Sequence, residues 1–219
     1  FGHRRLAVID TSPAGHQPMI TEDERYVLTY NGEIYNFHEL RLRLESLGHQ
    51  FRSKTDTEVV LHAYAEWGDE CVKYFNGMFA FAIWDNKRQE LFLARDRYGI
   101  KPFYYAYSGE TFLFASEQKA ILSSPAIQRV IDIEALLEYF TFQNIFTNKT
   151  LIKNLKILPA GCFARIAIDN PVADISPCRY WDFDFREPED SLTDQEYLEE
   201  LDYLFRQAVN RQLISDVEV

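Results

Sequence analysis

Met78-Phe79-Ala80-Phe81-Ala82-Ile83-Trp84 is apolar at every position. A strand with one face in water alternates apolar and polar residues, so a strand that never alternates has to be covered on both faces. Strand-like runs follow at 90–94, 102–107 and 111–115. Their turn-rich connections, Asp85-Asn86-Lys87-Arg88 and Ser108-Gly109-Glu110, make them read as meandering antiparallel hairpins. A chain built around such a run has to stack layers on either side of a sheet.

Helical patterns flank these strands. The segment 37–47 carries Leu40, Leu44 and Leu47 on one face, with Asn36 and Glu39 as a capping box and Gly48 as a stop. A strand-like Gln50-Phe51-Arg52 leads to a second helix, capped by Thr55 with Glu58 and striped by Val59, Val60, Ala63, Tyr64 and Trp67 up to Gly68. Later helices are expected at 117–122, at Ile133–Phe142 with Asp132 as N-cap, and at Asp194–Gln212 opened by Thr193 with Glu196. Further strands are expected at 6–9, 26–30, 153–158 and 162–168, the last two flanking a hairpin-like Pro159-Ala160-Gly161. The natural packing of these elements is strand-rich α+β with layered sheets.

Composition narrows the function. A net charge of −11 argues against nucleic acid and anionic membrane as partners, since both recruit Lys and Arg. No apolar run approaches the ~20 residues of a membrane span, and no signal-peptide pattern opens the chain. The three cysteines, Cys71, Cys162 and Cys178, are odd in number and unclustered, which fits a reducing compartment without a metal site or disulfide framework. The expected location is the cytoplasm. Phe1 running straight into a strand-like segment, and an abrupt stop after Val217-Glu218-Val219, give the expectation of a chain cut at both ends.

Three places carry candidate chemistry. Asn31-Gly32-Glu33-Ile34-Tyr35-Asn36 reads as a turn after a strand, leaving an amide, a backbone N–H and a carboxylate close together. It is either a tight turn with a helix cap or a grip for a polar amide substrate. Asp56, in the first turn of the second helix, either complements the helix dipole or binds an ammonium group. Arg5 is either a solvated strand-start residue or a fork for a carboxylate. Arg97 and Lys101, in Asp96-Arg97-Tyr98-Gly99-Ile100-Lys101-Pro102, read more naturally as surface charges at a turn than as an anion site.

Together these motifs resemble the class II glutamine amidotransferases, in the version found in glutamine-hydrolysing asparagine synthetases. The resemblance runs through Arg5-Leu6-Ala7-Val8-Ile9-Asp10, the Asn31 to Asn36 motif, Thr55-Asp56-Thr57-Glu58 and Gly77-Met78-Phe79-Ala80-Phe81-Ala82. It continues through Arg95 to Pro102, Phe114-Ala115-Ser116-Glu117, Leu158-Pro159-Ala160-Gly161 and Ser215-Asp216-Val217. It implies the N-terminal-nucleophile hydrolase fold, a four-layer αββα sandwich of two antiparallel sheets, here partial at its N-terminus. It also implies a glutaminase domain at 1–168, a surface-lying linker at 169–192, and the first helix of an ATP-dependent synthetase domain at 193–219.

The resemblance implies roles as well. Arg5 holds the α-carboxylate of glutamine, Asp56 its α-ammonium, and Glu33 and Val8 complete the amino-acid subsite. The Asn31 side-chain amide and the Gly32 N–H form an oxyanion hole, and no metal takes part. ATP, Mg²⁺ and aspartate belong to the downstream domain, and a homodimer is one expectation for the assembly. The family's nucleophile, an N-terminal cysteine, has no counterpart near Phe1, so this stretch alone is expected to be inactive. Cys71 and Cys162 read as buried structural thiols. Two alternatives stand beside this: a glutaminase domain serving another acceptor, and a pseudo-amidotransferase scaffold without a nucleophile.

Overall fold

The computed structural model describes residues 1–109, 111–167, 175–186 and 192–217. β1 (Met19–Ile20) and β2 (Tyr26–Ile34) are followed by α1 (Phe37–Ser46), α2 (Asp56–Trp67) and the short α3 (Cys71–Tyr74). The all-apolar run becomes β3 (Gly77–Asp85), which hairpins into β4 (Glu90–Arg95). A second hairpin of β5 (Tyr104–Ser108) and β6 (Thr111–Ala115) precedes α4 (Gln118–Leu122) and α5 (Ile133–Phe142). Next come β7 (Leu155–Ile157), β8 (Cys162–Ala167), β9 (Cys178–Arg179) and α6 (Asp194–Gln212).

The strands form two antiparallel sheets, one in the order β1-β2-β3-β4-β8-β9 and one in the order β6-β5-β7. β3 shows why two layers are needed. Its Phe79, Phe81 and Ile83 join Phe92 of β4, Leu40 and Leu44 of α1 and Val59 and Tyr64 of α2 in one core. The intervening Ala80 and Ala82 join Leu91 and Leu93 of β4, Phe103 and Tyr105 in a core between the sheets. Beyond the smaller sheet, Ala106 and Leu155 pack with Ile121 of α4. Helices, sheet, sheet and helices therefore stack in the expected four-layer α+β sandwich. Each fully buried Phe contributes about 1.5–3 kcal/mol, which makes the β3 face toward α2 a principal source of stability.

Several local expectations change. The expected meander is divided, because β4 and β5 belong to different sheets, and so do β7 and β8. Pro159-Ala160-Gly161 thus joins two sheets and closes no hairpin. Residues 6–9 form no strand: Leu6 is 88% exposed, and the Ile9 and Asp10 carbonyls accept hydrogen bonds from Arg5. Residues 50–52 form none either, because the Glu58 carboxylate takes the Arg52 and Ser53 N–H groups at 2.9 and 2.7 Å. The box at α2 is therefore one-sided: Thr55 Oγ1 accepts from the Glu58 N–H, and Glu58 reaches upstream past Thr55.

Asn36 stands at the N-cap position of α1 without capping it. Its side chain donates to Tyr74 O and accepts from the Asn76 N–H, both at 2.9 Å, so it ties α1 to the approach to β3. Leu47, expected on the apolar face, is 51% exposed. α5 and α6 have the expected bounds, with Asp132 capping one and a reciprocal Thr193–Glu196 box opening the other. Residue 168 of the expected strand, Glu110 of the expected turn, and 169–174 and 187–191 of the expected linker lie outside the described residues. Within 175–186, β9 pairs with β8 and the Tyr180 hydroxyl donates to Arg95 O at 2.9 Å. No helix among the described residues is long and apolar enough to cross a membrane.

Candidate active site

Asn31 and Gly32 do not turn. Both lie inside β2, opposite Ala80 and Phe79 of β3, and the turn falls later, at Tyr35 and Asn36. The strand continues because each strand carries a glycine where the other comes close, Gly32 opposite Phe79 and Gly77 opposite Ile34. Gly32 has φ +154°, and a Cβ there would stand 2.1 Å from Met78 O; a Cβ on Gly77 would stand 2.1 Å from Glu33 O. Only residues without side chains permit so close an approach.

Tyr26, Leu28, Tyr30 and Ile34 of β2 enter the core beneath α1 and α2. Thr29, Asn31 and Glu33 alternate with them and border a cleft of about 750 Å³. Its floor includes the small Ala80 and Ala82, and Phe103, Phe114 and Ala115 supply a wall from the second sheet and its approach. All six residues expected in the site, Arg5, Val8, Asn31, Gly32, Glu33 and Asp56, border this one cleft. The Asn31 amide makes no hydrogen bond to any described residue.

Asp56 is more than a helix-dipole partner. It is buried, and its Oδ2 accepts from the Tyr30 hydroxyl at 2.7 Å and the Ile34 N–H at 3.0 Å. Burial pushes its carboxyl above the usual range, although these donors act the other way. Glu33 is also raised, by burial and then by repulsion from Asp56, with Lys101 pulling it down. Two carboxylates that raise each other's energy at one end of a cleft form a place where a cation is favoured.

Arg5 supplies the opposite charge. Its Nη2 donates to Ile9 O at 2.5 Å and Asp10 O at 2.9 Å, and the remaining guanidinium N–H groups make no bond to any described residue. Gly15 leaves the space for it, since a Cβ there would stand 2.3 Å from Nη1. A cation anchored by two carbonyls, with donors to spare, suits a carboxylate ligand.

Among the residues that border the cleft without having been singled out for it are Gln17, Tyr30, Thr57 and Lys101. Gln17 is buried, and its Oε1 accepts from the Tyr30 N–H at 2.7 Å, standing in for a strand carbonyl that the two-residue β1 does not supply. Nothing local in the sequence signals this. Lys101 had a signal in the charged motif around it. Buried Asp96 accepts N–H bonds from Phe79, Tyr98, Ile100 and Lys101, and Arg95 donates to the carbonyls of Gly99, Lys101 and Leu158. That frame holds Lys101 at the cleft, while Arg97 points elsewhere and donates to Lys73 O. No cysteine borders the cleft. Cys71 and Cys162 are buried, burial pushes both thiols up, and Cys178 is exposed.

The chain belongs to the glutamine amidotransferase domain family, whose pattern matches residues 1–181. Among curated proteins it is 44% identical to glutamine-hydrolysing asparagine synthetase 3 of Bacillus subtilis over all of this chain and 35% of that protein. It is 38% identical to asparagine synthetase 1 of the same organism, over all of this chain and 34% of that one. It thus spans about a third of the length of these relatives. Among solved structures, the glutamine phosphoribosylpyrophosphate amidotransferase of Bacillus subtilis superposes with a TM-score of 0.55 at 20% identity. That superposition covers 82% of this chain and 34% of the other, and it speaks for the fold alone.

Proposed function

We propose that this chain is the glutaminase part of a glutamine-dependent asparagine synthetase of the cytoplasm. The observation that carries the reading is the polarity of the cleft: Arg5 borders it together with the carboxylates Asp56 and Glu33, and the Asn31 amide, which bonds to no described residue, lies on the same surface. A zwitterionic amino acid with a polar side chain needs that distribution. Arg5 holds the α-carboxylate, with Val8 in the same loop; Asp56 and Glu33 hold the α-ammonium.

The reaction is acyl transfer. A cysteine thiolate supplied from outside residues 1–219, as in the resembling family, attacks the side-chain amide carbon and pushes its π electrons onto oxygen. The Asn31 amide and the Gly32 N–H stabilise that oxyanion. Collapse expels ammonia, which takes up the proton from the thiol, and water then hydrolyses the thioester to glutamate. Ammonia passes to the rest of the protein, where ATP and Mg²⁺ activate aspartate. The described residues contain no group of three or more His, Cys, Asp or Glu placed to hold a metal. The functional division follows 1–168, 169–192 and 193–219.

The test uses the full-length protein with its N-terminal cysteine exposed. Glutamine should release ammonia, and Asn31→Ala should lower kcat by about 10²–10³ with little change in KM, the usual effect of losing one oxyanion donor. A protein that binds glutamine and releases no ammonia is a scaffold, and the reading fails.

A further inference from the structure

The segment after α6 returns to the cleft by way of the loop that carries Arg5. The Asp216 N–H donates to Val8 O at 3.0 Å, and Asp216 Oδ2 accepts from the Asp10 N–H at 2.7 Å. Ile214 packs against the core beneath α1 and α2, so this segment is anchored at both of its ends. The two Asp216 bonds bracket Ile9, and that is where the Arg5 guanidinium is held, by the carbonyls of Ile9 and Asp10.

Asp10 is the junction. Its φ of +52° lies in the left-handed region, which side-chain-bearing residues rarely adopt, so its neighbours have to hold it there. Its Oδ1 accepts from the Ser12 N–H at 3.1 Å and its Oδ2 from the Lys54 N–H at 2.8 Å. Lys54 is two residues ahead of Asp56, the ammonium partner at the start of α2. One residue therefore joins the anchor of the cation to the approach of the anion, and Asp216 takes its backbone N–H.

We propose that Asp216 is a positioning residue for the glutamine site, acting through Asp10 to fix the Arg5 guanidinium and the turn that presents Asp56. The inference rests on reading the cleft as a glutamine site. Asp216 itself does not border the cleft. Its effect is on the spacing between a cation and an anion that grip opposite ends of one small molecule, a spacing on which productive orientation depends. Anything that moves 214–217 moves that grip, which makes this segment a route by which the remainder of the protein can alter glutamine affinity.

The test takes the full-length protein with Asp216→Ala and Asp216→Asn, each alone and combined with Arg5→Lys. Ammonia release is followed against glutamine concentration, and thermal unfolding is recorded in parallel. Asp216→Ala should raise KM about tenfold, the equivalent of one charge-assisted hydrogen bond, with a smaller change in kcat. Asp216→Asn keeps an acceptor oxygen and should restore most of the loss. In the Arg5→Lys background Asp216→Ala should add a clearly smaller factor, because the guanidinium it positions is already gone and only its effect through the turn before Asp56 remains. An unchanged KM in Asp216→Ala, or the same factor in both backgrounds, overturns the proposal. Should Asp216→Ala fail to fold, Asp216→Glu displaces the carboxylate by a methylene and is judged by the same outcomes. A wild-type protein that binds glutamine without releasing ammonia overturns the glutaminase reading alone, and the same ratios are then read as glutamine Kd.

Discussion

The Tyr30 hydroxyl donates a 2.7 Å hydrogen bond to the Asp56 carboxylate between β2 and the first turn of α2. Both groups are buried: burial and the Asp56 charge push the Tyr30 phenol well above its usual range, while the bond it donates favours the ionised carboxylate against the cost of burial. The pair fixes the orientation of a carboxylate that neither the helix nor the strand would hold alone. Burial still leaves that carboxylate with a desolvation cost.

That cost gives the first prediction. Burial raises the Asp56 carboxyl, so the folded state binds protons more readily than the unfolded state at pH values just above the unfolded pKa. The stability contribution of Asp56 therefore falls as pH rises through that interval. Asp56→Asn should remove this slope and leave stability at neutral pH equal or higher. It should weaken glutamine binding by about 10² or more, since an ammonium then lacks its buried partner. Urea unfolding across pH, together with calorimetric titration of glutamine, checks both halves.

Glu58 behaves oppositely. Burial alone would push its carboxyl up, but hydrogen bonds from His62, Ser53 and the backbone of Arg52 and Ser53 hold it down at about 2, against an ordinary 4.5. Its contribution is fully present above 4.5 and is lost as pH falls toward 2. The expected loss over that window is roughly 2–3 kcal/mol. Glu58→Gln should flatten the acid limb of the stability curve and loosen the Ser53 loop ahead of Asp56. Denaturant midpoints below about pH 5 report it.

Gly32→Ala and Gly77→Ala separate structure from chemistry. Each introduces a Cβ 2.1 Å from a carbonyl oxygen of the facing strand. Both should destabilise by about 2 kcal/mol or more, through forced separation of β2 and β3. Gly32→Ala should also abolish measurable ammonia release, because it displaces the oxyanion donor. Gly77→Ala should retain release in the fraction that stays folded. Melting temperature and turnover on the same samples give the comparison.

Lys101→Met should act through Glu33. Lys101 opposes the burial and the Asp56 repulsion that raise the Glu33 carboxyl. Without it Glu33 should protonate at higher pH, moving the acidic limb of kcat/KM upward. A profile that shifts downward, or not at all, removes Lys101 from the glutamine site.

Much of the architecture was legible because apolar period and burial coincide. β3 reads as covered on both faces and is; the bounds of α5 and α6 follow from Asp132, Thr193 and Glu196. What failed was local preference overruled at a distance. Asn31-Gly32 has the character of a turn, yet Gly77 across the sheet lets the strand run on. Leu6 to Ile9 has the composition of a strand, yet Arg5 and Asp216 take carbonyls that a sheet partner would need. Residue types alone left Arg5 and Asp56 ambiguous, and only the ordered set of motifs singled them out. Gln17 stayed hidden because its function depends on Tyr30, thirteen positions later and on another element.

The glycines at Gly32 and Gly77, two positions apart in the β2–β3 register, have a consequence for assembly. β2 alternates Thr29, Asn31 and Glu33 with the core residues Leu28, Tyr30 and Ile34, so sliding by a single residue would bury Asn31 among phenylalanines and turn Tyr30 outward. Gly32 and Gly77 oppose such slippage, because the tight approach they allow exists in one alignment only. Any other alignment brings a side chain to the gap and holds the strands apart. Two absent methyl groups thus act as a proofreading step in sheet formation: the pairing that closes fully is also the pairing that turns Asn31 toward the cleft.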